Sequence, residues 1–416
     1  MQNQNLSEQS HQTVPLSRAT FMFPLALVLF EFSVYIGNDL VQPAMLAITK
    51  DFGVSSAWAP SSMSFYLLGG ACVAWLLGPL SDRLGRKKVL LAGVAFFVIT
   101  CLLILMTPHI ASFLTLRFLP GFGLSVIAAV GYAAIQESFE ERDAIKVMAL
   151  MANISLLAPL LGPVVGAFLI DHVSWHWGFI GIAILAFLSW FGLKAKMPEV
   201  KVSIQKQPLA YIWDDYKKVF KNKNFLALTL GLPMVAMPLM LWIALSPVML
   251  VEELGLSSMQ YGLAQFPVLG GLILGNIVLI KMIDRLRLGQ TVLIGLPLML
   301  CGTLIVGLGL IWQEYFLYSV VLGMTLVSFG EGISFSVLYR FALMSSNVSK
   351  GTVAAAVSVL MMFSFFIVIE LVRIAYVHFH LWAYALSCIT LILIWFSFPR
   401  QTLNKIMQER KARGEF

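Results

Sequence analysis

Apolar runs long enough to cross a bilayer recur along this whole chain, and that recurrence limits its fold more than any other feature. A window of about 19 residues finds them at 21–48, 58–80, 89–107, 111–134, 146–170, 177–195, 225–250, 259–282, 291–311, 316–339, 352–376 and 380–398. At 1.5 Å rise per residue, about 20 apolar residues in a helix span a hydrocarbon core about 30 Å thick. Helices satisfy their own backbone hydrogen bonds in that setting, so twelve transmembrane helices are expected. Of the 416 residues, 59% are hydrophobic and 12% are charged, about half the charged share of a soluble domain. An integral, multi-pass, all-α membrane protein follows.

The even spacing breaks once, at 196–224, which is polar and rich in lysine. The division expected is a six-helix half (1–195), a linker on one membrane face (196–224), a second six-helix half (225–399) and a basic tail (400–416). The linker segment from Tyr211 to Phe220 has the pattern of a short amphipathic surface helix. GPLSDRLGRKK, from Gly78 to Lys88, is echoed at the corresponding place in the second half by 275–290, which carries Asp284 and Arg285. Repeated halves with a central site between them are a common transporter plan.

All of the 28 basic residues except Lys50, Arg117 and Arg373 fall on one side of the twelve-span scheme. Cytoplasmic loops carry such an excess, so both termini are expected in the cytoplasm. The net charge of +7 is then a topology signal, and no nucleic-acid partner is expected. Residues 1–17 lack the charged start and cleavage site of a signal peptide. Cys72, Cys101, Cys301 and Cys388 sit in apolar runs without C-x-x-C spacing, which points to neither a disulfide framework nor a metal site.

The first run, FMFPLALVLFEFSVYIGNDLVQPAMLAI, carries Glu31 and Asp39. An acid at the bilayer centre costs about 2.5–3.5 kcal/mol on insertion scales. On a helix Tyr35, Asn38, Asp39 and Gln42 fall within about a quarter-turn of Glu31, so one polar stripe must face a protein interior or a wet cavity. Asp39 is the first candidate for a proton carrier, with Glu31 as second acceptor or contact for cationic ligands. Glu331, within GEGISF, is a further candidate in the second half. Glu370 and Arg373 are three apart and expected to pair locally. Glu137, Glu140, Glu141 and Asp143 are expected as solvated charges at the cytoplasmic mouth. Tyr35, Asn38, Tyr132, Met151, Asn153, Pro159 and Met240, together with Glu31, Asp39 and Glu331, are candidates for a substrate wall; methionine and aromatic side chains adapt to varied ligands.

Four motifs bear on family. Gly78-x-Leu80-x-Asp82-Arg83-x-Gly85-Arg86-Lys87 resembles the loop 2–3 signature of the major facilitator superfamily, and Asp82 is expected to bond across the interface between halves. Ala158 to Gly166 (APLLGPVVG) resembles the helix 5 motif of drug/proton antiporters within it. There Pro163 bends the helix, and Gly162 and Gly166 form a small-residue packing face. Gly37 to Leu46 resembles a further antiporter motif. Leu116 to Gly123 resembles the one with an intramembrane arginine, here Arg117, either counter-charge to the acids or structural ion; Pro120 stands where that motif has glutamine. With Phe30 to Pro43 and Val130 to Glu141, the resemblance covers nearly the whole chain and is to the MdfA-type multidrug/proton antiporters. It implies the twelve-helix major facilitator fold in two pseudo-repeat halves, and export of lipophilic drugs, chloramphenicol among them, across a bacterial inner membrane. It also implies coupling through acids at Glu31 and Asp39 and a proton gradient in place of any cofactor. A monomer with lipid, drug and proton as partners is expected. A proton-coupled importer of the same fold is the alternative. The sequence holds no metal-ligand cluster, G-x-S-x-G or Walker loop to support an enzyme or ATP-driven pump.

Overall fold

A computed structural model describes residues 20–198, 209–283, 285–286, 289–346, 348–397 and 399–412. The expected echo residue Asp284 and the polar middle of the linker, 199–208, lie outside the described residues. The elements in chain order are α1 Met22–Asp39, α2 Val41–Asp51, α3 Ser61–Leu84, α4 Arg86–Ile104, α5 Ile110–Phe118, α6 Phe122–Val126, α7 Tyr132–Ser138, α8 Glu141–His172 and α9 His176–Lys196. They continue with α10 Leu209–Lys221, α11 Lys223–Ser246, α12 Ser258–Ile283, α13 Gln290–Gly309, α14 Phe316–Met344, α15 Lys350–Phe379, α16 Leu381–Ser397 and α17 Pro399–Ala412. Among the described residues 11 helical stretches are long and apolar enough to span, and Leu157–His172 within α8 is a shorter apolar helix at the remaining expected run.

Two expected spans are interrupted. The first divides at Leu40 into α1 and α2. Pro43 has no N–H to return to the Asp39 carbonyl, and its ring crowds the preceding turn. The fourth divides into α5, α6 and α7, with Pro120 at the first break and a wide π-helical turn at Ile127–Gly131. Such turns insert a residue into the helical ladder and re-aim the side chains beyond them; Tyr132 follows directly. The expected linker helix is present as α10.

Lipid supplies little hydrophobic drive between helices, so the bundle turns many large apolar side chains outward, including Ile99, Phe187, Ile280 and Leu322. Its interior divides unevenly. One core cluster joins α1, α4 and α9 through Leu27, Val34, Phe97 and Ile182. The other fills the last six spans but also takes in Met45, Ile48, Phe113 and Trp175 of the first six. The two groups of spans thus share a core at the end opposite the basic loops. There α3 packs on α15 and α8 on α12.

Candidate transport site

At the other end the bundle is open. A cavity of about 660 Å³ enters between the two groups of spans. Its walls include Gly78, Asp82, Arg83, Arg86 and Tyr132 on one side and Tyr339, Ser349, Thr352 and Met362 on the other, with Asp215 and Tyr216 of α10 at the rim.

The helix 1 acids do not line the cavity themselves: both are buried, and Glu31 reaches the wall through the lining residue Tyr132. Glu31 is fully buried and accepts a hydrogen bond from the Tyr132 hydroxyl at 3.1 Å. Asp39 is 4% exposed; its Oδ1 accepts from Asn38 Nδ2 at 3.0 Å. Gln42 Nε2 donates to the Asn38 carbonyl at 3.2 Å. The amide oxygens of Asn38 and Gln42 are buried without hydrogen-bond partners among the described residues, so the stripe keeps unused acceptors. Such groups are costly to bury unpaired and are the expected lining for a polar ligand or water.

Arg117 is 1% exposed. Its Nε donates to Ser62 Oγ at 3.0 Å and its Nη1 to the Gly37 carbonyl at 3.1 Å. Its guanidinium sits 4.7 Å from the Tyr66 ring centroid and 5.7 Å from that of Phe179. Arg117 makes no direct ion pair with Asp39 or Glu31 among the described residues. It pins the carbonyl of Gly37, two residues before Asp39. Tyr66 donates to the Val34 carbonyl at 2.8 Å, so two side chains from neighbouring spans hold the α1 backbone.

The helix 5 glycines meet the same place. A Cβ on Gly162 would lie 2.6 Å from Asp39 Cβ and 3.0 Å from the Leu40 nitrogen; one on Gly166 would lie 2.4 Å from the Leu40 carbonyl oxygen and 2.7 Å from Pro43 Cγ. The contacts at 2.4–2.7 Å are closer than real Cβ atoms come, so only glycine permits the approach. Pro163 lies between them, buried within α8.

The other candidate wall residues scatter. Met151 is buried, Tyr35, Pro159 and Met240 are half-buried, and Asn153 is exposed. Of the seven, Tyr132 alone lines the cavity. Glu331 is buried within α14, its Oε2 without a hydrogen-bond partner among the described residues. It lies four and eight residues before Phe335 and Tyr339, whose rings stack at 6.2 Å. This i, i+4, i+8 stripe leads inward from the cavity wall to the acid.

The loop 2–3 signature corrects two expectations. Among the described residues Asp82 does not bond across the two groups of spans: its ion pair is with Arg86, four residues on, at 2.5 Å. Arg86 also pairs with Glu137 at 2.8 Å and donates to Ser81 Oγ. Glu137 is therefore no solvated charge; it anchors Arg86, itself 8% exposed. The physical reason is that Asp82 faces the open cavity, while Arg86 lies one helical turn away. Gly85, at φ 94°, makes the turn between α3 and α4, in the region that favours glycine.

At the closed end Glu370 and Arg373 pair as expected, at 2.8 Å. What local spacing does not reveal is that Ser64 of α3 donates to the other Glu370 oxygen at 2.5 Å, and that Arg373 lies 4.3 Å from the Trp58 ring centroid. A second unforeseen chain joins Trp242 Nε1 to Gln265 Oε1 at 2.6 Å and Gln265 Nε2 to Ser246 Oγ at 3.3 Å. A glutamine inside an apolar helix is its only sequence signal.

Comparison with known proteins places this arrangement. The sequence model of the Major Facilitator Superfamily matches residues 27–369. The chain is 73% identical over 402 residues to the chloramphenicol resistance protein CraA of Acinetobacter baumannii, covering 97% of each. It is 46% identical over 362 residues to the multidrug transporter MdfA of Yersinia pestis, covering 87% of this chain and 88% of that one. In fold it is similar to a D-xylose-proton symporter, with a TM-score of 0.72 at 17% identity over 91% of this chain and 97% of that one. These relatives are transporters, not enzymes. The open cavity, interrupted helices and buried acids of this chain thus belong to a multi-pass membrane transporter of the major facilitator superfamily.

Proposed function

We propose that this protein exports lipophilic drugs, chloramphenicol among them, across a bacterial inner membrane in exchange for protons, by alternating access. The observation that carries the reading is Asp39: a membrane-buried carboxyl with one side-chain hydrogen bond, from Asn38, set against the glycine face of α8. The relatives' names supply the substrate class. In the state with the cavity open on the basic, cytoplasmic side, drug enters between the two groups of spans and competes with the proton for the helix 1 stripe. Glu31, held by Tyr132, contributes charge to cationic drugs or serves as second proton acceptor; Glu331 is a third titratable site, in the second half.

The cycle is a rocking of 1–195 against 225–399, with 196–224 as the tether. On the outer side, protonation of Asp39 displaces the drug. The neutral acid crosses back at little electrostatic cost, and cytoplasmic deprotonation readmits drug. The driving force is about 2.3 kcal/mol per charge per 100 mV plus the pH gradient, and no cofactor is required. A monomer is sufficient, because both walls of the cavity come from one chain.

The test is proton release on adding chloramphenicol to purified protein in weak buffer, comparing wild type with Asp39→Asn, Glu31→Gln and Glu331→Gln. Release in the wild type that disappears in Asp39→Asn is expected. Full release from Asp39→Asn removes that assignment. Accumulation of labelled chloramphenicol in cells, with and without an uncoupler, fixes the direction: the uncoupler raises accumulation for an exporter and lowers it for an importer.

A further inference from the structure

α10 lies along the cavity rim, packed on α15 and α11. At 100° per residue its side chains sort into four sectors. Tyr216 and Val219 are buried against the bundle, and the Tyr216 hydroxyl donates to the Trp75 carbonyl of α3 at 3.4 Å. Asp215 lines the cavity. Asp214 and Lys218 face outward and are exposed. The fourth sector holds Trp213, Lys217, Phe220 and Lys221, at i, i+4, i+7 and i+8, within about 100° of arc. All four are exposed, and with Tyr216 they border a shallow groove of about 260 Å³.

We propose that this sector is a binding surface for anionic phospholipid of the leaflet on the basic side, with the lipid phosphate between Lys217 and Lys221 and the two aromatic rings at the acyl boundary. The chemistry of the face selects this occupant. Tryptophan and phenylalanine beside lysines on an amphipathic helix are the pattern of a segment lying in the headgroup layer. Two lysines one turn apart offer a matched anion site. The competing ion pair is weak: Lys217 meets Asp214 at 3.2 Å with both side chains more than half exposed, and such pairs contribute at most about 1 kcal/mol. Lys221 makes no ion pair among the described residues. A neutral lipid would satisfy the rings but not the lysines. Because α10 touches α3 through Tyr216 and also packs on α15, lipid held there fixes the helix across both sides of the cavity mouth. The inference stands on the helix itself and does not depend on the direction or coupling of transport.

The test uses the full-length protein in phosphatidylcholine nanodiscs doped with brominated phosphatidylglycerol or, at equal mole fraction, brominated phosphatidylcholine. The Trp213 contribution to fluorescence is the difference between wild type and Trp213→Phe. It is expected to be quenched several-fold more by the brominated anionic lipid, since each lysine near an anionic surface is worth about fivefold. The K217Q/K221Q protein is expected to lose that preference, while Lys405→Gln, on α17, keeps it. Equal quenching of Trp213 by both lipids overturns the proposal, as does a preference that survives K217Q/K221Q. Absence of quenching by either lipid also overturns it, because the face would then look onto water or another protein.

Discussion

Gly162 of α8 touches Asp39 of α1 so closely that a Cβ on the glycine would lie 2.6 Å from the aspartate Cβ. The glycine motif of one span is thus the floor under the acid of another. Gly162→Ala is expected to force α8 away from Asp39 and Leu40. Overpacking of this kind costs about 1–3 kcal/mol, and resistance to chloramphenicol in cells should fall sharply with expression retained. Gly181→Ala, on α9 where a Cβ meets nothing within 4 Å, is the control and should be silent. Parallel resistance assays with membrane immunoblots check both.

Asp39→Asn removes the titration while keeping the side chain's size. Drug binding to the wild type is expected to weaken as pH falls, because proton and drug compete for the same carboxyl. In Asp39→Asn a neutral drug should bind with little dependence on pH, and pH-driven export should be lost. Binding isotherms for chloramphenicol between pH 5 and 9 test this; an unchanged pH dependence in the variant would contradict it.

Arg86 is shared between Asp82 and Glu137. Glu137→Gln leaves a buried guanidinium with one anionic partner, and charge-assisted bonds contribute about 1.5–3 kcal/mol. A lower melting temperature in detergent is expected. In a double-mutant cycle with Arg86→Gln the two losses should be far from additive; additive losses would mean that the pair does not couple.

Ser64 and Glu370 join α3 to α15 at the closed end. Ser64→Ala and Glu370→Gln are expected to shift the protein toward a state open at that end. Modification of single cysteines placed at the closed end by a membrane-impermeant thiol reagent should speed up in both. Unchanged rates would assign the contact to packing alone.

Tyr216 lies outside the spans, and burial pushes its phenol up to about 12. The neutral form is the one that docks, so its contribution is complete below pH 10 and is lost as pH rises toward 12. Proteolysis within 199–208 should accelerate over that range in the wild type. Tyr216→Phe removes the titrating group, and its cleavage should not show this step.

How much of this was legible in the sequence follows from the range of each interaction. The spans were, because a bilayer imposes its thickness on one continuous segment, and so were the acid stripe and the Glu370–Arg373 pair, which depend on helical spacing alone. The family motifs located Gly162, Gly166 and Arg117 but not their partners. That Gly162 lies on Asp39, that Arg117 bonds a carbonyl rather than an acid, and that Arg86 turns to Glu137 are facts of helix packing, which brings together residues from 51 to 123 positions apart in sequence. Proline told where helices 1 and 4 break but not which side chains the breaks would aim. Composition and helical spacing alone specify a membrane-spanning bundle with acids it must shelter. Which end is closed rests on helix packing, because closure depends on Ser64 meeting Glu370 and α8 meeting α12 across the bundle, and no local pattern records either contact.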